Sequence, residues 1–481
     1  SLKRHWFFLH LQCDSHVDHT KYPPPPGPTP WPLVGNLLQM GDQIHLSLTH
    51  LRLQYGDVFK MRLGSLSVVV LSGYTTIRQA LVRQGEAFAG RPDLFTFSAV
   101  ANGTSMTFSE KYGPAWLLHK KLCKNALRSF SQAEPRGSGA TCLLEEHVCA
   151  EAAEMVEWIR EQAAKGQTDH NVTGIDPVTP LVTSVANVVC ALCFGKRYDY
   201  NDKEFLTIVH INNEVLRIFA AGNLADFFPV FRYFPSPSLR KMVQHIHRMN
   251  GFMERSIEEH INTFDKNYIR DITDALIALC EDREENKDAS VLSNSQIIHT
   301  VIDIFGAGFD TIIAGLQWSL LYLIKFPDIQ DRIHQEIDDH IGSARLPRFS
   351  DKAKMPFTEA FLYEVFRHAS YYHKKHHLEW IFHSQRYIDL WGDPDTFRPE
   401  RFLGPSGLLN KELTEKVLIF GMGKRRCLGD GFARLEMFVF LTTLLQGLRI
   451  EKVRGQELDL STDFGLTMKP RPYRITISSR F

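Results

Sequence analysis

Residues 420–429 read Phe420-Gly421-Met422-Gly423-Lys424-Arg425-Arg426-Cys427-Leu428-Gly429. The spacing Phe-x-x-Gly-x-Arg-x-Cys-x-Gly fixes five positions, and chance would produce it in a chain this long on the order of once in several thousand trials. Each fixed residue has a physical job. Gly423 permits a tight turn that residues with a Cβ resist. Arg425 offers its planar fork to a carboxylate. Cys427 stands just ahead of an amphipathic stretch, Phe432 to Leu445. A thiolate there gains from the helix dipole and from unpaired amides. Gly429 leaves room for a flat partner at close range. Most lone cysteines are buried and inert, but the glycines and the arginine around Cys427 argue against that here.

This loop resembles the haem-binding signature of the cytochrome P-450 superfamily. The resemblance implies a mainly α fold with small β-sheets, in which haem b lies between a long central helix and the helix that follows the cysteine. It also implies that Cys427 ligates the haem iron, that Arg425 reaches a haem propionate, and that Phe420, Gly423 and Gly429 shape the haem site. Thiolate ligation pushes electron density onto iron and favours O–O cleavage.

The long central helix is legible on its own terms. Ser293 to Gln296 has the form of a capping box, and Pro327 stops the helix after Phe326. The run spans roughly 50 Å at 1.5 Å per residue. It is apolar nearly all round and should be buried. In its middle lie Gly306-Ala307-Gly308-Phe309-Asp310-Thr311. Two glycines there cost about 1 kcal/mol each relative to alanine, and an acid and a hydroxyl are poor core residues. Packing through small residues explains the glycines and leaves Asp310-Thr311 unexplained. In the family, Ala-Gly-x-Asp-Thr lies over the haem. By resemblance, Thr311 hydrogen-bonds the oxygen being activated and Asp310 helps relay protons from solvent.

Three further constellations support the resemblance. Glu364 and Arg367 share a helical face, and with Arg401 of Phe397-Arg-Pro-Glu-Arg-Phe402 they match the family's buried structural triad. Trp116 and Lys120 match a motif whose residues reach haem propionates. His119, Lys121, Lys124 and Lys424 would add a basic surface suited to an acidic electron donor. Within the superfamily the chain is similar to the animal family-1 enzymes that oxidise planar aromatic compounds, in a D-like branch. By that analogy Phe95, Phe219, Asn223, Asp226, Phe227, Ala307 and Leu466 line the substrate pocket.

The resemblance implies a monooxygenase that inserts one atom of dioxygen into lipophilic, planar aromatic substrates. Electrons would come from NADPH through NADPH–cytochrome P-450 reductase, with cytochrome b5 as a further partner. The expected setting is the cytosolic face of the endoplasmic reticulum membrane. The 481 residues divide into an N-terminal segment, 1–22, without a convincing membrane anchor; a Pro-rich connector, 23–36; and one haem-thiolate domain, 37–481. Formal charge is zero, so no basic surplus points to nucleic acid. Eight scattered cysteines are not a disulfide framework. Cys190 and Cys193 read as core, and His373-Lys-Lys-His-His377 as loop.

One stretch departs from the family. Only 23 residues, 368–390, separate Arg367 from Trp391. The family carries about 20 more there, enough for two or three strands of roughly 5–6 residues, with a basic propionate ligand among them. The alternative reading is therefore a haem-binding or misfolding-prone product with little turnover. A thiolate-haem isomerase or peroxygenase is a third, against which Asp310-Thr311 argues.

Overall fold

The computed structural model describes residues 23–41, 44–101, 105–131, 144–166, 174–234, 236–285, 292–369, 388–463, 465 and 467–481. The N-terminal segment 1–22, the histidine-lysine cluster 373–377 and most of the short segment 368–390 lie outside them.

The central helix, Asn294–Lys325, is the axis of the molecule. Ser293 Oγ accepts from the Gln296 amide, and Gln296 Oε1 accepts from the Ser293 amide at 3.0 Å. Both ends of the expected capping box are thus present. Val301, Phe309, Ile313 and Leu321 have no exposed surface. The helix is long and apolar enough to cross a membrane, yet 61% of its apolar window is buried by the protein itself.

The helix Val178–Phe194 packs along it and carries Cys190 and Cys193 in the core. Their approach explains one of the two costly glycines. A Cβ at Gly308 would lie 3.1 Å from Val189 Cγ2, so alanine there would push the helices apart. The helix Asp430–Gly447 follows the cysteine loop, and its residues Leu435 to Gln446 are buried. The helix Leu144–Gly166 joins the same core.

The sheets are small and antiparallel. Strands β1 (Val58–Leu63) and β2 (Leu66–Leu71) form a hairpin, turned by Gly64 at φ 58°. Near the C-terminus β3 (Leu448–Lys452) pairs with β6 (Ile475–Ser479), and β4 (Thr462–Asp463) with β5 (Lys469–Pro470). The Pro-rich connector lies against the first hairpin: the Lys60 amide donates to Pro26 O at 2.8 Å, and a Cβ at Gly27 would sit 1.8 Å from Lys60 O. It is packed chain and not a free ligand.

Candidate active site

The cysteine loop is closed by one backbone bond, Cys427 N–H to Phe420 O at 2.9 Å. Gly421 and Gly423 both take φ 69°. At Gly423 a Cβ would lie 1.9 Å from Leu81 O, so glycine is required for space as well as for conformation. The loop delivers Cys427, exposed and in no disulfide, to the N-terminus of the helix Asp430–Gly447.

Cys427 opens into a cavity of about 240 Å³. Phe420, Leu428, Gly429 and Phe432 form one wall beside the cysteine; Ala307, Gly308 and Thr311 of the central helix form the other. A Cβ at Gly429 would meet only open space. Arg91, Trp116, Lys120 and Arg425 gather at a polar end. Arg425 donates to Ala89 O, Met106 O and Ser109 O at 2.8, 3.0 and 3.1 Å, and stacks 4.0 Å from the Trp116 ring centroid. Among the described residues no carboxylate faces it. Burial pushes its pKa down to about 10. Lys120 donates to Lys424 O and Arg426 O; burial and then the Arg425 charge push it down to about 8.

Thr311 faces this cavity and donates to Ala307 O at 3.1 Å. Asp310 does not face it. Its carboxylate accepts from Thr467 Oγ1 and Lys469 Nζ, each at 2.5 Å, and borders a second cavity of about 280 Å³. Successive residues on a helix point about 100° apart, which is why the two neighbours serve different cavities.

The triad is assembled and buried. Arg367 Nε and Nη2 donate to the two Glu364 oxygens at 2.7 Å each, and Arg401 Nε donates to Glu364 Oε1 at 3.0 Å. Arg367 also reaches Pro394 O at 2.8 Å, and Arg401 reaches Trp391 O at 2.9 Å. The residues on either side of the short segment are therefore tied directly to each other.

The Cytochrome P450 family model matches residues 25–377 and 380–477. Cytochrome P450 1A1 of Rattus norvegicus is 46% identical over 469 residues, covering 92% of this chain and 88% of that protein. The same protein of Canis lupus familiaris and of Homo sapiens is 45% identical, each over 92% of this chain and over 88% and 90% of its own length. The chain is a cytochrome P450. At this identity it belongs to family 1, haem monooxygenases of xenobiotic metabolism.

The cavity fits the haem of a P450. Cys427 enters it, Gly429 leaves its floor clear, and Arg425 and Lys120 offer positive charge to anionic propionates. One P450 expectation needs correction at the basic surface. His119 is 4% exposed, its Nε2 bonds Thr300 Oγ1, and burial pushes its pKa down to about 4. It is a neutral core group, whereas Lys121 and Lys124 are exposed.

The seven expected substrate positions divide sharply. Ala307 lines the cavity. Leu466 lies outside the described residues. The other five do not border it, and their contacts are with neighbouring segments of the protein. Asn223 accepts from the Ala225 amide at 3.0 Å and caps the short helix Leu224–Phe227. Asp226 accepts from Thr96 N and Oγ1, both at 2.9 Å. Phe227 O accepts from Ser65 N at 2.9 Å. Phe95 lies beside Arg232, and Phe219 stacks on Phe97 at 5.8 Å.

Among the cavity's charged residues, Arg91 and Asp303 escaped the sequence reading. Arg91 carried no spacing signal. Asp303 did carry one, since Asp303, Ala307 and Thr311 recur every four residues on one helical face. Its carboxylate accepts from Ser105 Oγ at 2.8 Å and from the Thr107 amide at 3.0 Å, and burial pushes its pKa up to about 6.

Proposed function

We propose that this P450 inserts one oxygen atom into planar, lipophilic aromatic molecules, with the second atom leaving as water. Electrons come from NADPH through NADPH–cytochrome P-450 reductase, and cytochrome b5 is a second donor. The observation that carries this reading is the cavity with Cys427 on one wall and Thr311 on the other. Bound haem supplies the iron at which dioxygen is reduced and split. The chain's residues do the rest. Cys427 would ligate the iron, and Arg425 and Lys120 would hold propionates, with Trp116, whose Nε1 donates to Met106 O at 2.9 Å, stacked under Arg425. Thr311 presents a hydroxyl where a proton is needed, and Asp310 feeds that hydroxyl.

The cavity beside Thr311 is lined by apolar side chains, Leu127, Ile304, Ile312 and Phe432 among them, which suit a lipophilic ligand. Lys121 and Lys124 suit an acidic donor domain. Trp31, Leu33, Leu38, Tyr233 and Phe234 are exposed by 62–83%. The hairpin tip links their two segments: Gly64 N–H donates to Val34 O at 3.1 Å, and Ser65 N–H to Phe227 O. An apolar corner of this kind suits a membrane surface, in keeping with the cytosolic face of the endoplasmic reticulum.

A second reading, haem binding with little turnover, is favoured by one observation. The family match breaks between residues 377 and 380, inside the stretch that is short for the family. The test is a reduced carbon-monoxide difference spectrum, followed by NADPH-driven oxidation of a planar aromatic ether with purified reductase. A thiolate-type spectrum with product supports the first reading. The same spectrum without product favours the second, and its absence overturns both.

A further inference from the structure

We infer that Lys469 and Thr467 are positioning residues of the proton path, holding the Asp310 carboxylate in the wall between the two cavities so that protons enter from the second one. The inference deepens the monooxygenase reading and rests on it.

The second cavity is bounded by Asn213, Glu214 and Arg217 of the helix Lys203–Ala221, by Gln317, and by the C-terminal hairpin. Charged and amide side chains, Asn213, Glu214, Arg217 and Gln317, stand in its wall, whereas the first cavity is mainly apolar around Thr311. A carboxylate turned into the apolar cavity without donors would be costly. At 2% exposure, Asp310 is instead met by two donors from one hairpin. The Lys469 side chain is 27% exposed and also lies 3.3 Å from Asn213 Oδ1. The ion pair therefore has one end in the protein interior and the other at water.

The hairpin does not depend on this pair for its place. Trp318 Nε1 donates to Met468 O at 2.9 Å, and Tyr473 OH donates to Gln317 O at 2.6 Å. Loss of the Lys469 ammonium should thus remove the counter-charge and one of the carboxylate's two donors while leaving the hairpin docked. A proton passes from cavity water to the Asp310 carboxylate. It leaves the carboxyl for the Thr311 hydroxyl, which gives one up to the reacting oxygen. Each carrier gains one proton and loses one, so no charge accumulates.

The contact is tested first on the full haem-loaded chain with a zero-length carbodiimide, read by mass spectrometry. A Lys469–Asp310 cross-link is expected, and its absence overturns the assignment. The role is tested by the share of NADPH electrons that appears as peroxide. In Lys469→Met that share should rise about twofold or more, with haem retention and the carbon-monoxide spectrum unchanged. Lys469→Arg should restore the parent partition. The double variant Lys469→Met/Asp310→Asn should match Asp310→Asn alone, because residues acting through one group are not additive. A parent-like partition in Lys469→Met, or additivity in the double variant, overturns the inference. If Asp310→Asn and Thr311→Ala also partition like the parent, or the parent consumes no NADPH, the monooxygenase reading has failed and takes the inference with it.

Discussion

The wall that carries Cys427 comes from consecutive residues, 420–433, whereas the wall that carries Thr311 is completed by segments as far apart as Ser105 and Lys469. The first is specified by backbone. Two glycines at positive φ, one loop-closing amide and a helix N-terminus leave the cysteine a single direction. The second is specified by side chains that meet across the fold, such as Ser105 with Asp303 and Thr467 with Asp310. A contiguous wall should fail at one residue. An assembled wall should degrade in steps.

The sharpest break is at Cys427. Cys427→Ala should abolish the thiolate-type carbon-monoxide spectrum altogether, since among the described residues no other cysteine lines the cavity. A spectrum like that of the parent would refute the ligand assignment. Next is the triad beneath that wall. Arg367→Ala leaves buried Glu364 with Arg401 and the Arg398 amide, and losing one partner of a buried charge pair costs about 3–5 kcal/mol. The expected readout is a large fall in the denaturant midpoint, or no soluble protein. A shift within about 0.5 kcal/mol, ordinary for a surface change, would remove the triad from the account.

The short segment 368–390 probes the assembled side. Its flanks are pinned through Glu364, Arg367, Trp391 and Arg401, so the global fold should survive. The expected cost of the shortening is cover over the cavity. An open wall admits water and weakens the electrostatics that oxygen chemistry needs. The chain is expected to retain haem weakly and to turn over slowly. A version with a family-length insert after Arg367 should gain in both. Equal haem retention and turnover in the two proteins would show that the missing strands do not matter.

The same contrast explains what the sequence made legible. The capping box, the cysteine loop and the Glu364–Arg367 pair are all local patterns, and the fold brings the residues of each together. Asp310 shows the limit. The motif identifies the residue, but its direction depends on Lys469 and Thr467, more than 150 positions away. His119 fails for a related reason: a histidine among lysines reads as surface charge until Thr300 covers it. The Asn223 side chain is consumed by the nearby Ala225 amide and that of Asp226 by Thr96, 130 positions away, and nothing in the chain's periodicity reveals the Thr96 contact.

The smallest expected effect separates the two walls by pH. Asp303 belongs to the assembled wall, and burial lifts its pKa from the ordinary 3.8 to about 6. The folded state therefore keeps a proton that the unfolded chain has already released between pH 4 and 6. Stability from this group is complete below about pH 4 and is lost as pH rises through 6. Two pH units at 1.36 kcal/mol each set a scale on the order of 3 kcal/mol. Ser105 and the Thr107 amide oppose the shift by bonding the charged form. A carboxamide cannot titrate, so Asp303→Asn should remove this slope while losing one acceptor toward Ser105. The measurement is the denaturant midpoint of parent and variant at several values between pH 4 and 6.5. The difference between them should narrow or reverse as pH rises. Parallel curves across that window would show that Asp303 stays ionised in the fold, and that the assembled wall is wetter there than its packing indicates.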